Sequence, residues 1–367
     1  MNSAVLFIGN QRELDLAFTE LNDKNVVDYT IDQIRRLDVS DIYLVGASDL
    51  NLDGVIKRDT LEETILEVKK LEGTCLLVSP FYPLLDKNIY KELLDNSPCV
   101  LTCKEEFLPF FSFDCKDIDK MEELSYSNVE LDFLPKKFDS LKDIGEFNRI
   151  IRESINNKWL DKGVVITDPN TVFIGSDVSI DKNTVIKANV SIRGKSVIGK
   201  NNVIEEGSFI SNSNIGDNNR VYDSKIIDSV IKNKAAIGPD ALVVDSEVND
   251  ESLIGSYTKL KSSKIGKNVY IEHLSFIGDC MVGDNVKIGA GVVTVNNDSR
   301  SRNMTIIKSF STIGSNVSLI APLTIGEYAL VAAGSTIDDD VKDGDMAIAR
   351  LYQQNKKGYG YKYNQEG

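Results

Sequence analysis

Along the second half of the chain, aliphatic residues return at every sixth position. From Ile174, the positions Ile180, Ile186, Ile192, Ile198, Ile204 and Ile210 keep an unbroken spacing of six. The rhythm continues with one-residue slips through Ile215, Val221, Ile237, Val243, Val248, Ile254, Leu260, Ile265, Ile271 and Ile277. It resumes as Ile313, Leu319, Ile325, Val331 and Ile337. A period of six fits neither a helix, which repeats at 3.6, nor a half-buried strand, which alternates at 2. It fits a solenoid in which each hexapeptide supplies one short strand and one corner, and three hexapeptides close a triangular coil. Each coil then buries its apolar side on its neighbours. The pattern predicts a left-handed parallel β-helix of hexapeptide repeats over residues 164–345. Its compact or positive-φ corners fall to Gly175, Asn183, Gly199, Asn201, Gly216, Asn218, Gly266 and Asn268. The stretch between Val295 and Thr312, NNDSRSRNMTIIKSFS, breaks the rhythm and carries Arg300 and Arg302, so it is expected to leave the prism as an external loop.

The first part of the chain has a different texture. Ala4–Ile8, Ile42–Val45, Cys75–Ser79 and Cys99–Cys103 read as short buried strands. Val27–Leu37, Leu61–Leu71 and Lys87–Leu94 read as helices between them. Such alternation predicts an open, Rossmann-like α/β sheet over residues 1–137. Residues 138–163 are expected to form a connecting helix. Within it, Leu141, Ile144, Phe147, Ile151 and Ile155 recur on one helical face, and Asp139 or Ser140 is placed to cap the start. Residues 346–367 remain as a C-terminal tail.

A net charge of −14 opposes a broad nucleic-acid-binding face, which needs a positive footprint. No stretch reaches the ~18 apolar residues of a membrane span, and the N-terminus lacks the basic segment of a signal peptide. Cys75, Cys99, Cys103, Cys115 and Cys280 show neither paired metal spacing nor a disulfide ladder, so buried thiols are expected. The expectation is a cytoplasmic protein with no metal site, no nucleic-acid partner and no membrane partner.

From about Phe138 onward the chain resembles the C-terminal arm of the bifunctional bacterial N-acetylglucosamine-1-phosphate uridyltransferase/glucosamine-1-phosphate N-acetyltransferase family. The matching stretches are INNKWLDKGVVITDPNTVFIG, HLSFIGDCMVGDNVKIGAG, TIGSNVSLIAPLTIG and LVAAGSTIDDDV followed by MAIAR. The resemblance implies a homotrimer of parallel prisms, with acetyl-CoA as a substrate in clefts between subunits. The implied reaction is acetyl transfer to the amine of glucosamine 1-phosphate or a related amino sugar, in UDP-N-acetylglucosamine and cell-envelope precursor synthesis. An amine must lose a proton as it attacks a thioester, and histidine suits that task near neutrality. The single histidine of the chain, His273, stands in HLSFIGD, where the family places its catalytic base. By the same resemblance Lys261 and Asn296 contact the acceptor, while Ala290, Ser315, Ala333 and Arg350 line the acetyl-CoA site. The tail, with Tyr352, Tyr359, Tyr361 and Tyr363, matches one that covers a neighbouring subunit's site.

The departures cluster on the acceptor side. Val244 stands where the family has an arginine, with Asp245 and Ser246 in place of the following Pro-Gly. Phe276 replaces a tyrosine, Lys287 an asparagine, and Lys259 a glutamate. Either Lys259 and Lys287 hold the phosphate that the missing arginine would hold, or the acceptor is another amino sugar or a different nucleophile. A non-catalytic scaffold or regulatory paralogue is the alternative outside enzymes. The N-terminal part resembles a shortened, degenerate nucleotidyltransferase. DYTIDQIRRLDVSDIYLVGAS and TCLLVSPFYPLLDKNIYKELL match, but after the first strand IGNQREL carries a single glycine. Pro80-Phe81 stands where a Gly-Asp metal site would be, and phenylalanine cannot ligate Mg²⁺. Uridyltransferase activity is expected to be lost, with no Mg²⁺ at this site.

Overall fold

The computed structural model describes residues 2–47, 52–104, 106–297 and 301–362, so Arg300 and Tyr363 lie outside the described residues. The chain divides into two compact units, Met1–Arg152 and Glu153–Gly367. The division falls inside the helix Ile144–Asp161.

The first unit is built on a seven-stranded sheet: β1 (Asn2–Phe7), β2 (Val39–Val45), β3 (Ile56–Arg58), β4 (Thr74–Val78), β5 (Cys99–Cys103), β6 (Glu106–Asp114) and β7 (Ser127–Leu131). Their spatial order is β3-β2-β1-β4-β6-β5-β7. β3, β2, β1 and β4 run parallel, while β6 is antiparallel to both β4 and β5. The helices are α1 (Gln11–Ala17), α2 (Val26–Ile34), α3 (Leu61–Val68) and α4 (Lys87–Asp95). Asn10, Thr60 and Asp86 each cap a helix by accepting a backbone N–H. β6, β7 and α1 escaped the sequence reading, and α2 and α3 end three residues early. Ser140 begins the connecting segment, donating both its N–H and its hydroxyl to the Asp143 carboxylate. Phe147 and Ile151 are buried as expected, but Leu141 is 65% exposed and leaves the predicted apolar face. It falls in a 3-10 turn, Leu141–Asp143, whose tighter winding rotates it off the stripe.

The second unit is a left-handed β-helix whose strands stack into three parallel sheets of 11, 10 and 9 strands, pairing every third strand except at the last pair of the 11-stranded sheet. The first face runs from Val165–Ile166 to Met346–Ala347, the second from Phe173–Ile174 to Thr336–Ile337, and the third from Ser179–Ile180 to Leu323–Ile325. The predicted aliphatic residues form one continuous core, joined by Ile226, Ile231, Val282, Ile288, Ile307 and Trp159. The predicted external loop is shorter than expected, because Thr305–Ile307 re-enters the third face between Cys280–Val282 and Leu323–Ile325, with Ile307 buried. Corner residues Asn183, Asn201, Asn218 and Asn268 have positive φ. Gly199, Gly216 and Gly266 do not, and are needed for close stacking instead. A β-carbon on Gly266 would lie 2.5 Å from the Gly283 backbone.

The slips in the repeat have a specific cause. At the corner between the second and third faces, Asn212, Asp228, Asp245, Ser262 and Asp279 adopt positive φ. A buried serine follows most of them. The N–H groups of Ser213, Ser229, Ser246, Ser263 and Cys280 donate to the hydroxyl of the serine one coil below, at 3.1–3.2 Å. A shortened corner thus keeps its backbone satisfied through a side-chain ladder. Ser246 is a rung of this ladder and Asp245 the positive-φ residue before it, and both depart from the family pattern. Ser246→Ala would strand the buried Ser263 N–H and is expected to cost about 1–3 kcal/mol, read as a lowered urea midpoint. An unchanged midpoint would remove the ladder's structural role.

Candidate functional site

The corner between the first and second faces gathers four of the singled-out residues. Strands Tyr270–Ile271, Lys287–Ile288, Thr312–Ile313 and Leu330–Val331 are consecutive on the first face. Each leads into this corner, so His273, Ala290, Ser315 and Ala333 occupy the same corner position on successive coils. A backbone ladder locks the column: Gly291 N–H donates to His273 C=O at 3.0 Å, Asn316 N–H to Ala290 C=O at 2.8 Å, and Gly334 N–H to Ser315 C=O at 2.9 Å. Below His273, Leu274 N–H donates to Ser256 C=O at 2.9 Å. With coils rising about 4.8 Å each, the three small residues extend roughly 14 Å along the edge from the imidazole. Such a strip can take a thin, extended chain, since no side chain on it projects beyond a hydroxyl.

The His273 side chain is 53% exposed, and its Nδ1 lies 3.3 Å from Glu272 Oε2. Sequence reasoning missed Glu272, which nothing but adjacency to the histidine marks. As hydrogen-bond acceptor and nearby negative charge, Glu272 also holds the Tyr270 phenol above its ordinary pKa. Tyr270, Glu272 and His273 therefore form a polar series on one strand and its corner. In the tautomer that donates its Nδ1–H to Glu272, the lone pair is on Nε2.

The remaining residues lie on both flanks of this edge. Lys287 is on the first face, paired in register with Tyr270 and Thr312. Lys259 and Lys261 are exposed on the second face, either side of buried Leu260, and Lys259 pairs with Phe276. Lys259 and Lys287, grouped together in the sequence reading, thus occupy different faces. Lys261 and Asn296 lie at the far end of the second-face strands, five residues beyond Ser256 and six beyond Ala290 of the corner. Asn296 Nδ2 donates to Asp279 Oδ2. Arg302 grips the same carboxylate, with Nη2 2.8 Å from Oδ1 and Nε 3.0 Å from Oδ2. Asp279 is the second residue missed: in FIGDC it reads as an ordinary corner. Arg350 is exposed just beyond Ala349, whose N–H donates to Ser335 Oγ at 3.2 Å on the coil of Ala333.

Comparisons with known proteins find a hexapeptide-repeat match in the second unit. The family model described as bacterial transferase hexapeptide (six repeats) matches residues 262–296, the coils that carry Lys261's neighbour Ser262, His273 and Asn296. The bifunctional protein GlmU of Shouchella clausii (strain KSM-K16) is 44% identical over 210 residues, 57% of this chain and 46% of that relative. Over those 210 residues the chain resembles that bifunctional protein. The bifunctional protein GlmU of Clostridioides difficile (strain 630) is 40% identical over 225 residues, 61% of this chain and 49% of its own length. The chain thus spans about half the length of the curated relatives it matches. Among solved structures, the UDP-N-acetylglucosamine acyltransferase of Francisella novicida aligns with a TM-score of 0.30 and 17% identity, over 50% of this chain and 67% of that one. A score that low carries no argument, and the fold rests on the strand ladders themselves.

Proposed function

We propose that the protein is a homotrimeric, acetyl-CoA-dependent N-acetyltransferase acting on glucosamine 1-phosphate or a related amino sugar, in UDP-N-acetylglucosamine and cell-envelope precursor synthesis. The observation that carries this is the corner column, in which the one imidazole of the chain stands at the foot of Ala290, Ser315 and Ala333. In the proposed reaction His273 Nε2 takes a proton from the acceptor amine as its nitrogen attacks the thioester carbonyl. The N–C bond forms, the C–S bond breaks, and coenzyme A leaves as thiolate, which takes up a proton from the imidazolium or from solvent. The small column residues leave room for the pantetheine arm, and Arg350 is assigned to a cofactor phosphate. Outward apolar ladders such as Met281 with Ile306 and Val295 with Ile320 favour self-association, since solvent-exposed apolar rows are covered in most stable assemblies.

Lys259 and Lys261, side by side on the second face, are assigned to the acceptor phosphate, with Asn296 as a further acceptor contact. Lys287, on the other flank, is assigned to acceptor selection. Lys259→Ala and Lys261→Ala are each expected to raise KM for glucosamine 1-phosphate on the order of tenfold or more, leaving KM for unphosphorylated glucosamine unchanged. Steady-state kinetics with thiol detection checks this, and equal effects on both acceptors would remove the phosphate assignment. The second reading, an acyltransferase with a different acceptor, is favoured by Phe276, Val244 and Lys287. A panel of amino sugars and other amines decides between them by which one drives coenzyme A release. Failure to bind acetyl-CoA would favour a scaffold. For the first unit we propose no uridyltransferase activity. Phe81, 5% exposed, stands where a metal-binding aspartate would be required.

A further inference from the structure

Independently of acetyl transfer, the first unit carries a cavity of about 490 Å³ at the carboxyl ends of β1 and β4. Open α/β sheets place ligands at this edge, and the volume falls in the range that encloses small molecules. Its lining is mainly apolar: Phe7 from β1, Ile65 from α3, Leu77 from β4, Phe81, Phe111 from β6, and Met121. Phe7 remains 44% exposed, an unusual state for a phenylalanine ending a central strand.

The polar groups at the rim have a definite sign. Lys137 faces the cavity, and its ammonium pairs with Asp139 at 2.8 Å; that hydrogen bond is the largest influence holding it charged, with Glu13 a lesser attraction. Glu13 Oε2 accepts the Gly9 N–H at 2.7 Å, and no hydrogen bond occupies Oε1 among the described residues. Asp59 and Glu62 line the adjoining opening. Gly9 keeps the space between carboxylate and ring open, since a β-carbon there would lie 3.0 Å from Glu13 Oε2 and 3.3 Å from the Phe7 ring. An uncovered aromatic ring beside a carboxylate is the pairing that receives an organic cation. The same carboxylates repel a polyphosphate, and burying an anion among these mainly apolar walls is costly.

We infer that this cavity binds an amphipathic organic amine, its ring or chain packed between Phe7, Ile65 and Phe111 and its ammonium group held by Glu13. Isothermal titration of the full chain with 4-phenylbutylamine, 4-phenylbutanol, 4-phenylbutanoate and Mg·UTP tests it. The amine is expected to bind at least tenfold more tightly than the carboxylate. Glu13→Gln, which can still accept from Gly9, should bring the amine down to the level of the alcohol. Ile65→Trp and Met121→Trp should each fill the cavity and abolish binding, with melting curves showing that at least one remains folded. Equal affinity for amine and carboxylate, displacement of the amine by Mg·UTP, undiminished binding in the folded filled variant, or no binding of the amine to the wild type would overturn the inference.

Discussion

His273→Ala should lower kcat for acetyl transfer by about 10²–10⁴-fold while leaving KM for acetyl-CoA nearly unchanged. The reasoning starts from protonation. An amino sugar's nitrogen must shed a proton to become an amide, and the chain offers one imidazole to receive it. His273 stands on a corner fixed by backbone bonds to the coils above and below, so the loss of its ring leaves the scaffold intact. Its side chain is 53% exposed, so alanine opens no core cavity. A drop in kcat with an unaltered melting curve and unaltered acetyl-CoA binding is therefore the expected signature. A loss below tenfold would mean that another group, or solvent, removes the proton.

Ala290→Trp should reduce kcat/KM for acetyl-CoA by at least the order of 10²-fold. Ala290 lies one coil from His273 and one from Ser315 in the same column, linked by the Gly291-to-His273 and Asn316-to-Ala290 hydrogen bonds. Its neighbour Gly289 already touches the next coil, where a β-carbon would come 2.6 Å from Ser315 N, so the coils cannot spread to absorb bulk. An indole at position 290 must project outward across the strip assigned to the pantetheine arm. Titration with acetyl-CoA, or with coenzyme A as a non-reacting ligand, reads the loss directly. Normal affinity in the variant would move the cofactor to another edge of the prism.

The solenoid was legible because a buried aliphatic residue at each hexapeptide is nearly all its core requires. The run from Ile174 to Ile210 kept its period because those coils take the full eighteen residues. Ile226 and Ile231 dropped out because Arg220 pairs with Ala236 only sixteen residues on, and hydrophobicity does not register a coil that a serine has shortened. Thr294 is fully buried at a core position, with its hydroxyl accepting from the Gly278 N–H at 2.7 Å, and so broke the visible pattern without breaking the prism. Ile307 was hidden for another reason: the loop before it shifts its phase against the coil below.

The site was legible in part. The resemblance in HLSFIGD singled out His273, and neighbouring motifs marked Ala290, Ser315 and Ala333. That these four share one corner depends on the lengths of the intervening coils, including the long loop, and only the strand register supplies that. Glu272 and Asp279 are acidic residues at corners in a chain rich in both, so their side-chain geometry alone marks them. In the first unit β6 and β7 were missed because their alternation is broken by Pro109 and by polar ends such as Ser127. The cavity there arises from residues far apart in sequence, and no local pattern anticipates it.

The central claim is that the corner column of the β-helix carries out acetyl transfer to an amino sugar. The most direct measurement is to incubate the full chain with ¹³C-acetyl-CoA and glucosamine 1-phosphate and to quantify both free coenzyme A and labelled product. The account predicts one labelled N-acetyl sugar phosphate for each coenzyme A released, over many turnovers. Release no faster than spontaneous thioester hydrolysis with glucosamine 1-phosphate and every other amine of the panel, from folded protein, would contradict it.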